Sequence, residues 1–252
     1  MENLIVSRMI KLFILLSVFV SSCVVAQTEQ TSLLVAVKSS GLLDNLSPEL
    51  KTVFTLTMLS FIPVILIAMT AFTRIVIVLS MLRHALGLQQ TPPNIVIITL
   101  SLFLTFYTML PVWEKVESDA IRPYISETIS LEKALESGGQ HMKAFMLSQT
   151  REKDFAVILE MAKQQPPASA SDVSFSYLVP AFLLSELTTA FKIAFIIFIP
   201  FLLIDLVVAS VLMSLGMIML PPISIALPIK VMLFVLIDGW SLISQSLVSS
   251  FS

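Results

Sequence analysis

The sequence predicts an all-α membrane protein built from two long, kinked helical hairpins with an extracytoplasmic helical region between them. Two observations carry that prediction. Residues are 56% hydrophobic and only 13% charged, with a mean hydropathy of +0.95, whereas soluble domains carry about 25% charged residues. The stretch from Phe175 to Trp240 is almost continuously apolar, enough for about three spans at ~20 residues each. A helix-breaking run, Gly216-Met217-Ile218-Met219-Leu220-Pro221-Pro222, interrupts that stretch. Thirteen prolines, many inside apolar runs, predict broken helices rather than straight rods.

Residues 1–26 read as a secretory signal. Arg8 and Lys11 form a positive region, Leu12 to Val20 an apolar one, and Val24-Val25-Ala26 a small-residue cleavage site. An uncleaved helix and a lipoprotein site at Cys23 are the competing readings. Cys23 is the sole cysteine, which excludes a disulfide framework and a cysteine metal site within one chain. His84 and His141 stand far apart without metal-ligand context. Residues 27–52 form a mixed extracytoplasmic segment, in which Ser47-Pro48-Glu49 reads as a helix start.

Residues 53–113 form the first hairpin. Val53 to Leu82 is apolar apart from Arg74 and exceeds the thickness of a bilayer core, so it must tilt, kink or emerge; Pro63 offers a kink. Arg74, Arg83 and His84 lead into a tight turn marked by Gly87 and the pair Pro92-Pro93. The turn is basic and lacks acids, which assigns it to the cytoplasmic side. Ile95 to Trp113 returns, with Tyr107 and Trp113 suited to an interfacial belt.

Residues 114–172 are the only soluble-looking region, with ten acidic and seven basic side chains. Such mixing is typical of a solvated face. Met142 to Lys163 has helical spacing, with Phe145, Phe155, Ile158 and Leu159 on one face and Arg151, Lys153 and Asp154 exposed. Gln164 to Ser171 reads as a linker. Residues 173–252 form the second hairpin, turning at 216–222.

The apolar block contains Glu186, Lys192, Asp205, Lys230 and Asp238. A charge in hydrocarbon costs about 2.5–3.5 kcal/mol, so each needs a partner or water. Glu186 and Lys192 are six apart and share a helical face poorly, which directs them to other segments or other chains. Asp205 has no cation within one turn; Lys230 and Arg151 are its candidate partners. The functional alternative is an ion relay, as in a coupled transporter that uses Asp205, Glu186 and Lys192. An aspartyl dyad of Asp205 and Asp238 has no supporting motif. Nucleotide, hydrolase and His-carboxylate motifs are absent from the sequence, which argues against an enzyme. A net charge of −2 offers nothing for nucleic acid. Ser210 and Ser214 make a small-xxx-small pair suited to close helix packing. Met213, Met217 and Met219 read as apolar filler or, beside the Pro-Pro turn, as a deformable constriction.

Three stretches resemble the FliP family. They are RIVIVLSMLRHALGLQQTPPN from Arg74 to Asn94, PAFLLSELTTAFK from Pro180 to Lys192, and FLLIDLVVASVLM from Phe201 to Met213, extended by LPIK ending at Lys230 and VLIDGW ending at Trp240. The resemblance implies a subunit of a flagellar type III protein-export gate in the bacterial inner membrane. It implies a pentameric ring that assembles with FliQ and FliR, works beside components such as FlhB and FlhA, and passes unfolded flagellar substrates without a cofactor. It further implies that the assembly is lifted toward the periplasm and that the charges pair between subunits: Asp205 with Arg151 or Lys230, alongside Glu186 and Lys192. The family's methionine-rich gating loop maps onto Met217, Ile218 and Met219, before Pro221 and Pro222. Many members have three consecutive methionines there; this chain has Ile218 in the middle, which is stiffer at χ1.

Overall fold

The computed structural model describes residues 50–251, except 51–52, 54–55, 58–59, 62–63, 66, 166, 168, 170–171 and 218–219. The expected signal segment, the helix start at Ser47 and the kink at Pro63 lie outside the described residues. The chain divides into two compact units, Met1–Ile62 and Pro63–Ser252. In the first, described positions from 50 to 61 are helical, and Thr57 and Ser60 donate back to the carbonyls of Val53 and Leu56.

Among the described residues every regular element is helical, in agreement with the expected all-α membrane class. The second unit begins with helical positions that stop at a turn over Met69–Ala71. Helix α1 follows, Phe72–Ala85. Ile75, Val78, Leu79, Leu82, Ala85 and Leu86 recur every three or four residues and are all buried, so one stripe of α1 faces the core. The helix ends in a Schellman cap: Gly87 takes φ +79°, its N–H donates to His84 O, and the Leu88 N–H donates to Arg83 O.

Helix α2, Asn94–Val116, returns against α1 and continues through a π-helical turn, Glu117–Ile121, into the short α3, Arg122–Ile125. Ser101, Thr105 and Thr108 line its buried side, and each hydroxyl donates to the carbonyl four residues back. Polar side chains thereby enter an apolar interface with their hydrogen bonds satisfied.

The outer region forms two helices rather than the single one expected from Met142 to Lys163. They are α4, Leu131–Gln149, and α5, Glu152–Met161. Thr150 and Arg151 between them are extended, at ψ 127° and 136°. Two bonds explain the break. Thr150 Oγ1 turns back to Met146 O at 2.7 Å, and the Arg151 N–H leaves the helix ladder for Ser185 Oγ at 3.0 Å.

Helix α6, Phe175–Ser214, is 40 residues long and continuous through Pro180 and Pro200. Pro111 in α2 and Pro228 in a later helix, α7 (Pro222–Leu236), likewise lie inside helices. The expectation that these prolines break helices is therefore corrected. Each removes one ladder bond, but in apolar surroundings opening further backbone groups costs more than keeping the remaining ladder closed. Helix α6 ends in a second Schellman cap, with Gly216 at φ +74°, the Gly216 N–H on Met213 O and the Met217 N–H on Leu212 O. Helices α7, Pro222–Leu236, and α8, Gly239–Ser249, follow, bent by 66° from each other. Asp238 at the bend is left-handed, φ +51°. Gly239 must be glycine because a Cβ there would lie 2.2 Å from the Phe234 ring.

Two helical stretches among the described residues are long and apolar enough to cross a membrane, Asn94–Ile125 and Phe175–Ser214; α7 with α8 makes a third if the bent pair is one span. The main core joins α1, α2, α6, α7 and α8 through residues such as Ile75, Leu82, Ile97, Ala190, Phe201, Phe234 and Leu247. A second cluster, Met146, Val173, Leu178 and Phe182 with Phe145 and Phe155 against it, seats the outer helices on α6.

Candidate functional site

Ser185 and Glu186, adjacent on α6 and both fully buried, are the point where the elements converge. Glu186 receives two N–H groups of Arg74 from α1: Nε donates to Oε2 at 2.9 Å and Nη2 to Oε1. A planar guanidinium matches a carboxylate in this paired way, so the contact fixes geometry as well as charge. Arg74 Nη2 also donates to Gln149 Oε1, 3.0 Å, at the end of α4.

Ser185 holds the α4–α5 elbow. Its hydroxyl donates to Asp154 Oδ2 at 2.6 Å and accepts the Arg151 N–H. Arg151 Nε in turn donates to Asp154 at 2.8 Å. Burial opposes the Asp154 carboxylate, but the hydrogen bonds from Ser185 and Arg151 and the charges of Arg151 and Lys153 outweigh it. The net effect holds its pKa below the ordinary aspartate value.

A second charged site lies further along α6. Lys230 of α7 donates to Asp205 Oδ2 at 2.6 Å and to Ala85 O at 3.3 Å. Ala85 ends α1, where unsatisfied carbonyls and the negative end of the helix dipole attract a cation. One ammonium thus joins three helices: α1, α6 and α7. Leu227, one turn before Lys230, packs by Gly87, where a Cβ would meet its Cδ1 at 3.8 Å.

The charges singled out in the sequence therefore fall into separate places. Asp205 meets Lys230, within the same chain. Arg151 is not its partner but pairs with Asp154, and Asp154 is only 13% exposed rather than solvated. Glu186 pairs with Arg74 of another segment of the same chain. Lys192 is exposed, beside exposed Phe191, Phe195 and Ile196. Arg74 does not belong to the turn with which it was grouped. It is buried nine residues before Arg83, about 13 Å up the helix. Arg83 does serve the turn, donating from Nη1 to Pro92 O at 3.2 Å and Asn94 Oδ1 at 2.6 Å, next to a cis Thr91–Pro92 bond.

At the other turn, Met217 is 39% exposed, and its N–H is held by the α6 cap. Pro221 caps α7, and Pro222 is its first residue. Ile218 and Met219 lie outside the described residues. No group of three or more potential metal ligands occurs among the described residues.

The sequence reading missed the roles of Ser185, Gln149 and Asp154, and the union of Arg74 with Glu186. Partners 112 residues apart leave no trace in helical spacing. The only signal was an ionisable residue on each of two apolar helices, each demanding a counter-charge.

Fold and site together define an all-α membrane protein in which Arg74 with Glu186 and Asp205 with Lys230 pair within its own helix packing. Sequence comparison refines this class. The FliP family profile matches residues 55–247. A flagellar biosynthetic protein FliP of Bacillus subtilis (strain 168) is 51% identical over 208 residues, covering 82% of this chain and 94% of that protein. One of Pectobacterium carotovorum subsp. carotovorum is 52% identical over 201 residues, 80% of this chain and 78% of the relative. One of Aquifex aeolicus (strain VF5) is 48% identical over 209 residues, 82% and 87% respectively. The chain belongs to the FliP family.

Proposed function

We propose that the chain is a ring-forming subunit of the flagellar type III protein-export gate of the bacterial inner membrane, assembled with FliQ and FliR. In this reading it acts as a passive, gated conduit for unfolded flagellar proteins, with FlhA and FlhB among its neighbours. The names of its relatives supply the flagellar context.

The observation that carries the ring is the size of α6. Forty residues span about 60 Å, twice the ~30 Å of a hydrocarbon core. Yet large apolar residues are exposed from Leu184 and Leu187 through Phe195, Leu203 and Val207 to Val211 and Met213. That exposed run, Leu184 to Met213, is about 44 Å long, more than the core of a bilayer covers without tilt. The remainder calls for apolar protein surface, which further copies and two small hydrophobic partners would supply.

In the gate, the segment around Met217, Ile218 and Met219 forms the seal, and Pro221-Pro222 stiffens its exit. The Gly216 cap anchors one side of it. Flexible thioethers yield to varied cargo, and Ile218 makes the seal stiffer. Lys192, exposed on the apolar face, contacts a neighbouring subunit, while the Asp205–Lys230, Arg74–Glu186 and Arg151–Asp154 pairs hold the subunit in the shape the ring needs. The Gly87 turn faces the cytoplasm, and the 114–172 region lies outside it.

Purification in mild detergent tests this. A gate subunit comes out as a multi-copy ring with FliQ and FliR in fixed stoichiometry. A coupled transporter comes out as a protomer or small oligomer without them, and that outcome contradicts the proposal.

A further inference from the structure

Arg74 has more donors than Glu186 uses. A guanidinium carries five N–H groups in one plane and two open faces. From Nη1, Arg74 donates to the backbone carbonyl and hydroxyl of Ser250, at 3.0 and 3.1 Å. Its Cζ sits 3.7 Å from the centroid of the Phe251 ring, where the ring's negative face attracts a cation. Phe251 also stacks on Phe145 of α4, with centroids 6.3 Å apart, and its carbonyl accepts from Gln149 Nε2 at 3.4 Å. Edge and face of one buried cation are therefore both occupied by a two-residue segment that follows α8.

We propose that Ser250–Phe251 is a strap that locks the second hairpin onto α1 and onto the α4–α5 elbow, and that its release frees the elbow. Helix α8 is anchored by Leu247, which is 1% exposed, so lifting the strap opens only the last turn of α8, whose carbonyls at Ser246, Leu247 and Val248 accept the Ser250 and Phe251 N–H groups. Ser250 itself is exposed and Phe251 only partly buried. Gln149 is the last residue of α4 and sits directly before the extended Thr150–Arg151 pair. It is the link through which the strap's position reaches the place where the outer helices dock on Ser185. With Phe251 lifted, Gln149 loses one of its two long-range partners and keeps only Arg74.

The test is hydrogen exchange on the full-length protein in mild detergent, with Phe251→Tyr, Phe251→Trp, Phe251→Leu and Phe251→Ala. Tyr and Trp keep an aromatic face; Leu keeps apolar bulk without one. The proposal expects Leu and Ala to speed exchange about tenfold in peptides covering 246–251 and 146–156, with Tyr and Trp close to the parent. If Leu protects as well as Phe, the guanidinium contact does nothing and the proposal fails. If the 246–251 peptide loosens while 146–156 does not change, the segment transmits nothing and the proposal also fails.

Discussion

Arg74 and Glu186 meet in a paired, buried contact across 112 residues of sequence, joining α1 to α6. The side chains are 3% and 0% exposed, so neither charge has water to fall back on. Removing one partner of such a pair typically costs about 3–5 kcal/mol, because the other remains buried and unpaired. Glu186→Ala is expected to lower the melting temperature in detergent sharply, and Arg74→Ala similarly. Glu186→Gln keeps an acceptor and should fall between parent and Ala. A melting temperature unchanged in Glu186→Ala would show that the contact contributes little.

The Asp205–Lys230 pair is asymmetric. The Lys230 side chain is 6% exposed and that of Asp205 42%. Deleting the carboxylate leaves the buried ammonium only the Ala85 carbonyl, whereas deleting the ammonium leaves a carboxylate that is open on one side of α6 to a partner from outside the chain. Asp205→Ala should therefore destabilise more than Lys230→Met, by about 1–2 kcal/mol in thermal melting. In cells, Asp205→Ala should reduce recovery of the assembled complex more than membrane insertion of the chain. Equal melting of the two variants would remove the asymmetry.

Gly216 at the end of α6 and Gly239 at the α7–α8 bend make opposite demands. Gly216 has nothing within 4 Å of an added Cβ, so Gly216→Ala costs only the strain of a left-handed alanine, about 1–2 kcal/mol. Gly239→Ala drives a methyl into the Phe234 ring, which also touches Phe201 and Trp240. It should destabilise more than Gly216→Ala, and Phe234→Leu in the same chain should recover part of the loss. Failure of that second substitution to recover anything would place the difficulty elsewhere.

The docking of α5 should weaken in acid. The pKa of Asp154 is held below the ordinary value, so its contribution to stability is full above the unfolded-state pKa of ~3.9. It is lost as pH falls through the lower, folded-state value. Asp154→Asn should lower the melting temperature near neutral pH and narrow its gap to the parent as pH falls below about 4. A gap independent of pH would mean that the charge of Asp154 is not what docks the elbow.

Much of this architecture was legible because local rules wrote it. The turn at Gly87 and the turn opening at Gly216 follow from left-handed glycine. Asp205 with Lys230 was one of two pairings open in the sequence. Long-range partners decided the rest. The elbow at Thr150–Arg151 exists because Ser185 takes an N–H that helical periodicity assigned to the ladder. Arg74 looked like a turn residue by its neighbours, and only the fold brings Glu186 to it. The prolines at 111, 180, 200 and 228 misled in the other direction, since apolar surroundings keep helices closed around them.

The most direct test of the central claim is the amount of hook and filament protein in the culture medium of a strain lacking this chain. The export-gate account predicts that both vanish and that both return when the intact chain is supplied. Normal amounts of both in the deletion strain would contradict it.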